Sequence, residues 1–412
     1  MGATVHLALL NVFAGDIQGG LGPFLATYLA AHAHWGPGRI GIVTTVVGLA
    51  GLGMNAPAGL LVDQTRYPRL LLALACLAIV AGTLMVLLAT GMPGVIGSLA
   101  IATAGGALVV PGLTLLTLGM VGKRGFPRQQ GINQAANHAG ILLAAGLVLA
   151  LGGVLGAGAA FWVLAGMGLA AALTVSLLPR SGFDGERAHG TAVSTAGTKR
   201  GQRVFALLRN RKLALMALTL GLFNLSNGAL LSLIGQRLSL GEVERQNWMA
   251  VFVIVAQATM IPVALWAGSL ADRKGRRRLL LIACAATPVR AVLCAFCTAP
   301  WSLLPAEMLD GLSSGLVGVA IPILVADLTW GSGRTQTAIG VLNTLSGIGG
   351  ALSGVFGGML AHAAGWRIAF LAMGVPALLA TAMALRLGET RGEDERRHGR
   401  PEGSAFRVEQ AR

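Results

Sequence analysis

Long apolar segments separated by short polar breaks make up most of the chain. A bilayer core about 30 Å thick requires roughly 20 apolar residues per helix, and twelve segments meet that length. Gly, Pro and charged residues in the breaks are typical of connections between helices. The pattern predicts twelve transmembrane helices, at 7–31, 39–62, 69–91, 94–121, 131–155, 158–179, 212–236, 246–271, 278–298, 302–328, 337–361 and 366–387.

One polar break is much longer than the others and divides the chain into two units. We therefore predict an N-terminal six-helix bundle at 7–179, a cytoplasmic linker at 180–211 and a C-terminal six-helix bundle at 212–387. The segment 388–412 has mixed charge and few apolar residues, so it is predicted to be a disordered cytoplasmic tail. The basic residues of the linker could bind a regulatory partner, but membrane topology and attraction to anionic lipids are the simpler explanation.

Composition and charge support a membrane protein independently of the pattern. The chain is 54% hydrophobic and 11% charged with a mean hydropathy of +0.72, whereas about a quarter of a soluble domain is charged. A net charge of +15 would indicate nucleic-acid binding in a soluble protein. Here most Lys and Arg lie in breaks predicted to share one side of the membrane, which is the positive-inside pattern. Both termini are therefore predicted to be cytoplasmic, with lipids and no nucleic acid as partners.

Two similar polar loops occupy equivalent places in the two halves. The run GSLADRKGRR begins at Gly268, between two apolar segments, and GLLVDQTRYPR begins at Gly59. The first-half copy keeps the Gly, the acidic residue as Asp63 and some basic character, but has Arg66 where the second copy has Gly275. The second run resembles the signature loop of the major facilitator superfamily. Its repetition about half a chain apart indicates a duplicated transporter.

Further residues repeat with nearly the same spacing, including Asp16 with Asn224 and Asn137 with Asn343. The resemblance implies an all-α integral membrane protein with twelve transmembrane helices in two pseudo-symmetric six-helix bundles. It also implies a substrate site between the halves near the midplane, lined by spans one, four, seven and ten. The phrases GGLGPFLATYL, MLDGLSSG and ADLTWGSGR resemble a poorly characterised bacterial branch, which implies the bacterial inner membrane as the location.

The first span contains an acidic residue near its middle, Asp16 in NVFAGDIQGGLGPF. A charge at the bilayer centre costs at least about 2.5 to 3.5 kcal/mol, so such a residue calls for a function or a partner. We interpret Asp16 as a proton carrier or cation-binding group, with Gln18 and Asn224 beside it in the substrate and proton site. The alternative is a carboxylate that accepts fixed hydrogen bonds from Asn11, Gln18 or a neighbouring helix.

A second set of ionisable residues lies in spans nine and ten. Arg290 and Asp310 are each about eight positions from the same membrane surface, so they match in depth. Because span nine should be peripheral, we predict a structural ion pair rather than a titrating site. Glu307, one turn from Asp310, is left as a proton site or an outer-gate residue. Asp327, at the other end of span ten, is predicted to cap or bridge at the cytoplasmic face.

Span five opens with the polar run GINQAANHAG. Asn133 and Asn137 share one helix face, and Gln134 and His138 share an adjacent one. These four side chains either bind substrate or lock span five to a neighbouring helix, and the sequence favours neither. Cys294 and Cys297 resemble a CxxC motif, but they lie on an apolar helix and are predicted to pack in the core. No metal site and no cofactor are predicted.

The superfamily resemblance also implies a role for the two signature loops. Asp272 would lie against the start of span five near Gly131, and Asp63 against the start of span eleven near Thr337, where each carboxylate meets the positive end of a helix dipole. The arginines would extend this contact into a network that closes the cytoplasmic side. The predicted gating residues are Gly59, Asp63, Arg66, Gly268, Asp272, Arg273, Gly275, Arg276 and Arg277.

These observations predict a secondary transporter that moves a small solute by alternating access, with protons as the coupling ion and Asp16 as the group that must be neutralised. Export and uptake are not separated by the sequence. Two alternatives are a facilitator or metal-cation carrier that uses Asp16 as a direct ligand, and a membrane sensor or scaffold without transport. No nucleotide loop or nucleophile constellation is present, so the chain is not predicted to be an enzyme. Resemblance to the superfamily implies a monomer.

Overall fold

The computed structural model describes residues 3–19, 25, 28–29, 34–35, 37–89, 91–178, 183–185, 188, 209–239, 246–330 and 332–389. Most of the predicted linker, part of the first predicted span and the tail beyond residue 389 lie outside these residues. The described helices are α1 (Ala3–Gly19), α2 (Pro37–Gln64), α3 (Pro68–Leu88), α4 (Met92–Leu155), α5 (Ala159–Ser176), α6 (Arg211–Asn227), α7 (Leu230–Ser239), α8 (Gln246–Lys274), α9 (Arg276–Phe296), α10 (Leu304–Thr329), α11 (Thr335–Ala364) and α12 (Trp366–Arg386).

Most of these helices have the length and composition of membrane spans. In the described part of the chain, 10 helical segments are long and apolar enough to cross a membrane, and Thr4–Gly15 is a shorter apolar helix. One segment, Met92–Gly152, has 61 residues and a length of about 90 Å, enough for two passes. Its two arms, 92–121 and 123–155, meet at Gly122, whose φ of 66° breaks the helical path. The arms correspond to the predicted fourth and fifth spans.

The prediction of a polar break between those two spans is wrong. Residues 122–130 were expected to be a loop, but the second arm of α4 is helical from residue 123. Only Gly122 leaves the helical conformation. Its positive φ is accessible because glycine has no Cβ. The polar residues that follow extend the helix beyond the apolar core rather than ending it.

The predicted seventh span, 212–236, matches the apolar helical segment Arg211–Leu238, which a two-residue turn interrupts. α6 ends at Asn227 and α7 begins at Leu230. Hydrogen bonds to neighbouring helices replace part of the backbone hydrogen bonding at this break. Ser353 Oγ on α11 accepts from the Ala229 backbone N–H at 2.9 Å. Ser226 Oγ on α6 donates to the Met373 carbonyl on α12 at 2.6 Å. Periodicity alone does not reveal the break, because both sides of it are apolar.

The helices form two groups that correspond to the two halves of the sequence. In the first half α4 packs against α1, α2 and α3, and α3 packs against α5. In the second half α8 and α9 pack against α10, while α11 and α12 pack against α6. The main contacts between the halves are α2 with α11 and the second arm of α4 with α8, and α4 also contacts α10 and α11.

Close approach of helix backbones depends on glycine at several of these contacts. A Cβ added to Gly140 would lie 1.9 Å from the Val12 carbonyl oxygen, and one added to Gly15 would lie 2.3 Å from the Asn137 carbonyl oxygen. α1 and the second arm of α4 therefore touch backbone to backbone. Small residues at such crossings are typical of membrane helices, where packing replaces the hydrophobic effect as the driving force.

Parts of the two predicted polar segments pack against the helices. From the linker, Phe183 and Ala188 contact a cluster with Val62 and Leu115, and the Asp184 N–H donates to the Gly119 carbonyl at 3.1 Å. The predicted disordered tail begins at 388, yet Glu389 accepts from the backbone N–H of Arg276 at 2.9 Å. This corrects the boundary of the tail, because a carboxylate at the start of α9 is stabilised by the helix dipole.

The α1–α4 crossing gives a direct test of the packing. We expect Gly140→Ala to lower the stability of the purified protein by about 1 to 3 kcal/mol, because the added methyl meets the Val12 carbonyl. Gly146→Ala on the same arm is the matched control, since no atom lies within 4 Å of its added Cβ. Thermal unfolding in detergent measures both. Equal melting temperatures for the two variants would contradict the packing.

Candidate functional site

A cavity of about 700 Å³ lies between the two halves. Its walls come from α2, α3, the first arm of α4 and α5 on one side, and from α6 and α11 on the other. Most of the lining is aliphatic or glycine. The polar groups are hydroxyls of Thr and Ser and the side-chain amides of Asn55, Asn224 and Asn343. A cavity of this size and composition is typical of small-molecule sites.

The cavity has a floor made by contacts between α2 and α11. The Thr344 hydroxyl donates to the Leu52 carbonyl oxygen at 3.0 Å. One turn further along, a Cβ on Gly340 would lie 2.2 Å from the Asn55 carbonyl oxygen, so the two backbones touch. From there to the end of α2 the halves stay together, and the cavity extends the other way along Gly51, Gly48 and Thr44. We call the closed end, where α2 and α8 end and α11 begins, the signature-loop end.

Asp63 makes three hydrogen bonds to α11 at the signature-loop end. Its carboxylate accepts from the backbone N–H groups of Gln336 at 2.9 Å and Thr337 at 2.6 Å, and from the Thr337 hydroxyl at 2.6 Å. These N–H groups belong to the first turn of α11, which lacks intrahelical acceptors for them. The structure thus places Asp63 at the helix start named by the sequence, and Gly59 lets α2 approach Gln336. Arg66 is exposed.

The second signature loop lies against the second arm of α4. A Cβ on Gly131 would be 2.6 Å from the Ala264 carbonyl oxygen and 3.0 Å from Gly268 Cα, so glycines face each other across the halves. Asp272 and Arg273 line a cleft beside this contact together with Arg128. Gly275 has a φ of 92° and lies directly before the first turn of α9. The glycine of the motif therefore permits the sharp bend between α8 and α9.

An ion-pair chain crosses between the halves at the same end. Asp327 on α10 lies 3.1 Å from Arg276 Nε and 3.9 Å from Lys123 Nζ. Arg276 belongs to the signature loop and Lys123 to the first-half helix α4, so one carboxylate connects both halves. Lys123 also lies over the Trp330 ring at 4.8 Å. Arg277 donates to the Leu385 carbonyl, which holds α12 to the start of α9.

The polar cluster of span five makes helix contacts. Asn133 donates to the Thr117 hydroxyl at 2.9 Å within the first half. Gln134 donates to the Gly318 carbonyl at 3.1 Å, and His138 Nδ1 lies 2.8 Å from Gln257 Oε1, so both reach the second half. Asn137 is buried. None of these four residues is among the described lining of the cavity.

A buried charged cluster lies within the second half. Arg290, which is fully buried, donates to both oxygens of Glu307 at 3.1 and 3.2 Å and to Asp310 Oδ1 at 2.8 Å. Asn227, the last residue of α6, accepts from Arg290 at 2.6 Å and donates to Asp310 at 2.8 Å. Ser314 donates to the same Asp310 oxygen at 3.4 Å. We call Arg290, Glu307, Asp310 and Asn227 the Arg290 cluster.

The sequence named only some of these residues. Arg290 and Asp310 are in contact, but Glu307, expected to be less committed, also pairs with Arg290. Asn224 lines the cavity, where it donates to Ser346 Oγ at 2.6 Å. Asp16 and Gln18 belong to α1, but their side chains lie outside the described part of the structure.

Sequence reasoning missed Asn55, Lys123 and Asn227 altogether. It used Asn343 only as the repeat partner of Asn137. A polar amide in an apolar span, as in MNAPAG around Asn55, was the signal available.

Comparisons with known proteins agree with this geometry. The sequence profile of the Major Facilitator Superfamily matches residues 7–289 and 247–410. The chain is 33% identical over 399 residues to an uncharacterized MFS-type transporter of Mycobacterium tuberculosis, which covers 96% of this chain and 95% of the relative.

Solved structures resemble the chain in fold. The E. coli fucose:proton symporter FucP, whose structures include an outward conformation, has a TM-score of 0.72 at 15% identity, covering 94% of this chain and 98% of that one. The proton:xylose symporter XylE has a TM-score of 0.71 at 15% identity, covering 94% and 96%. At these identities the likeness shows the fold alone.

The predicted family and its all-α fold are therefore confirmed, and the chain is a transporter rather than an enzyme. The full-length relative and the family profile lead to one conclusion: the chain belongs to the Major Facilitator Superfamily of multi-pass membrane transporters.

Proposed function

We propose that the chain is a proton-coupled secondary transporter that moves a small solute by alternating access across a bacterial inner membrane. Both termini and the signature-loop end face the cytoplasm, as the distribution of basic residues favours. The cavity between the halves holds the solute. The observation that carries the proton coupling is the Arg290 cluster, in which two carboxylates share one guanidinium.

The charge of this cluster does not balance when all three groups are ionised. One arginine against Glu307 and Asp310 leaves one excess negative charge, and the side chains of Arg290 and Glu307 are fully buried. An uncompensated charge in this environment is costly, whereas one bound proton makes the cluster neutral. Glu307 is therefore the proposed site of this proton, and its occupancy sets the net charge of the Arg290 cluster.

The cluster lies beside the break between α6 and α7. Asn227 bonds both Arg290 and Asp310, and it lies one residue before Gly228, where α6 and α7 separate. Gly228 in turn packs against Gly350 on α11, the helix that also forms the cavity floor. Protonation that weakens the carboxylate contacts of Arg290 thus acts on the helices that line the cavity. Asp16, in the first half, is the rival acid for the same role.

The signature-loop end acts as the inner gate in this scheme. Asp63 with Gln336 and Thr337, the paired glycines Gly131 and Gly268, and Asp327 with Lys123 and Arg276 hold the halves together there. Gln134 and His138 add contacts to α10 and α8 deeper in the bundle, so we assign the span-five cluster to the lock rather than to substrate. Opening toward the cytoplasm requires all of these contacts to break.

The proton site is tested on the substrate-free protein. Spin labels at Tyr67→Cys and Ser332→Cys, exposed positions on opposite halves, report opening of the signature-loop end. We expect the open fraction to rise as pH falls, by up to about tenfold per pH unit for one proton. Glu307→Gln should weaken this pH dependence, because it leaves the cluster neutral without a bound proton.

Two variants serve as comparisons for Glu307→Gln. Asp184→Asn, in the linker, should keep the pH dependence of the parent. Loss of the dependence in Asp16→Asn with its retention in Glu307→Gln would move the proton to Asp16. Retention in both would reject proton coupling at either acid.

The gate is tested by removing its bonds in steps. Asp63→Ala deletes three hydrogen bonds to a charged acceptor, each worth about 1.5 to 3 kcal/mol, and should raise the open fraction more than tenfold. Thr337→Val deletes only the hydroxyl bond and should have a smaller effect. The same pair of spin labels measures both. Unchanged distances in Asp63→Ala would show that this contact does not hold the gate.

A further inference from the structure

We propose that the cargo is an uncharged amphipathic molecule whose adjacent hydrogen-bond donor and acceptor groups are bound by the amides of Asn55 and Asn343. This inference rests on the proposed function, in that it takes the cavity between the halves as the cargo site. It adds the chemical class of the cargo, which the family assignment does not supply.

The lining of the cavity excludes several classes of ligand chemistry as its main contacts. Among the described residues that line it, no side chain is charged and none is aromatic. Among these described residues a charged cargo would find no counter-ion, and a flat ring would find no stacking partner. The aliphatic walls from α2, α3 and α4 instead favour a ligand with an apolar body.

The polar groups of the cavity have unused hydrogen-bonding capacity. Asn55 and Asn343 make no side-chain hydrogen bond to the residues that the structure describes, although each amide offers two donors and one acceptor oxygen. The Thr83 hydroxyl, which is fully buried in the wall, has no partner in the same part of the chain. The Asn55 and Asn343 amides are only partly buried and face the cavity, so polar atoms of a ligand can replace water on their free donors and acceptors, whereas the Thr83 hydroxyl is enclosed in the wall.

The two amides are placed to act together. Asn55 lies nine residues before the end of α2 and Asn343 eight residues after the start of α11, so both are about 12 to 14 Å from the signature-loop end. They belong to opposite halves of the transporter. The backbones of α2 and α11 touch next to Asn55, at Gly340. A ligand seated on the cavity floor therefore reaches one amide of each half.

A bridging ligand would couple recognition to the movement of the halves. Because α2 and α11 carry both the amides and the Asp63 contact, a ligand that bonds Asn55 and Asn343 ties together the helices that the gate separates. Discrimination would come from hydrogen bonding, since an analogue that cannot bond would displace water from the two amides and leave them unpaired. The cavity volume of about 700 Å³ is in the range of small-molecule sites.

Three cyclic dipeptides that share one scaffold test the cargo class: those of leucine with leucine, with lysine and with glutamate. Each ring carries two amides, which pair with asparagine amides, and only the last two molecules are charged. Calorimetric titration of the purified wild-type protein should show binding of the neutral compound. Both charged compounds should bind on the order of a hundredfold more weakly, because no described group in the lining compensates their charge.

Substitutions test the assignment of the two amides. Asn55→Leu and Asn343→Leu keep the approximate volume and remove the hydrogen bonds, and each should weaken binding of the neutral compound on the order of tenfold to a hundredfold. Asn11→Leu is the matched control, since its amide bonds the Leu7 carbonyl at 2.8 Å and is not part of the described lining. Its affinity for the neutral compound should equal that of the wild type.

Three results would overturn the inference: no binding of the neutral compound, equal or tighter binding of a charged one, or wild-type affinity in both leucine variants. Tight binding of the lysine compound that disappears in Asp16→Asn would assign a cationic cargo instead. Failure of the proposed function gives a different pattern. In that case the neutral compound still binds, while the spin-label distances stay independent of pH.

Discussion

One guanidinium shared by two carboxylates inside the second half is the interaction on which the account depends. Arg290 is fully buried and bonds Glu307, Asp310 and Asn227, so three helices converge on a single side chain. Removing the arginine would leave two buried carboxylates without compensation, which typically costs 3 to 5 kcal/mol, roughly the effect of breaking a buried ion pair. The cluster therefore holds the second half together, and we propose that its excess charge also makes it responsive to protons.

The contacts between the halves give this local event a global effect. In the described structure the halves meet at the signature-loop end and separate toward the cavity, with α2 and α11 as the clearest pair. Asp63 secures the end of that pair and Asn55 with Asn343 marks the cavity floor above it. In the proposed mechanism, a change that reaches α11 through Gly228 and Gly350 acts on the gate and the cargo site together. Alternating access of this kind needs two discrete arrangements of packed helices rather than gradual deformation.

The sequence predicted the architecture because membrane helices have a strong signal. Apolar length gave the spans, and the repeated loops at Gly59 and Gly268 gave the family, which the comparisons confirmed. The contact of Asp63 with the start of α11 also followed from the motif.

Other features depend on distance between side chains and were not available from one sequence. Glu307 and Asn227 join Arg290 only through the packing of α6, α9 and α10. Asp327 reaches Lys123 only because the halves meet at that end. Asn55 is a polar residue in an apolar span, and only the packing of α2 against α11 places it in the same cavity as Asn343. The break at Gly228 is equally invisible to hydropathy, since α6 and α7 are both apolar.

Infrared difference spectroscopy of the substrate-free protein between high and low pH tests the central claim most directly. The account predicts that a protonated carboxylic acid band appears at low pH in the wild type and is absent or displaced in Glu307→Gln and Asp310→Asn. The same band should persist in Asp16→Asn. A band that is unchanged in both cluster variants would contradict the assignment of the coupling proton to the Arg290 cluster.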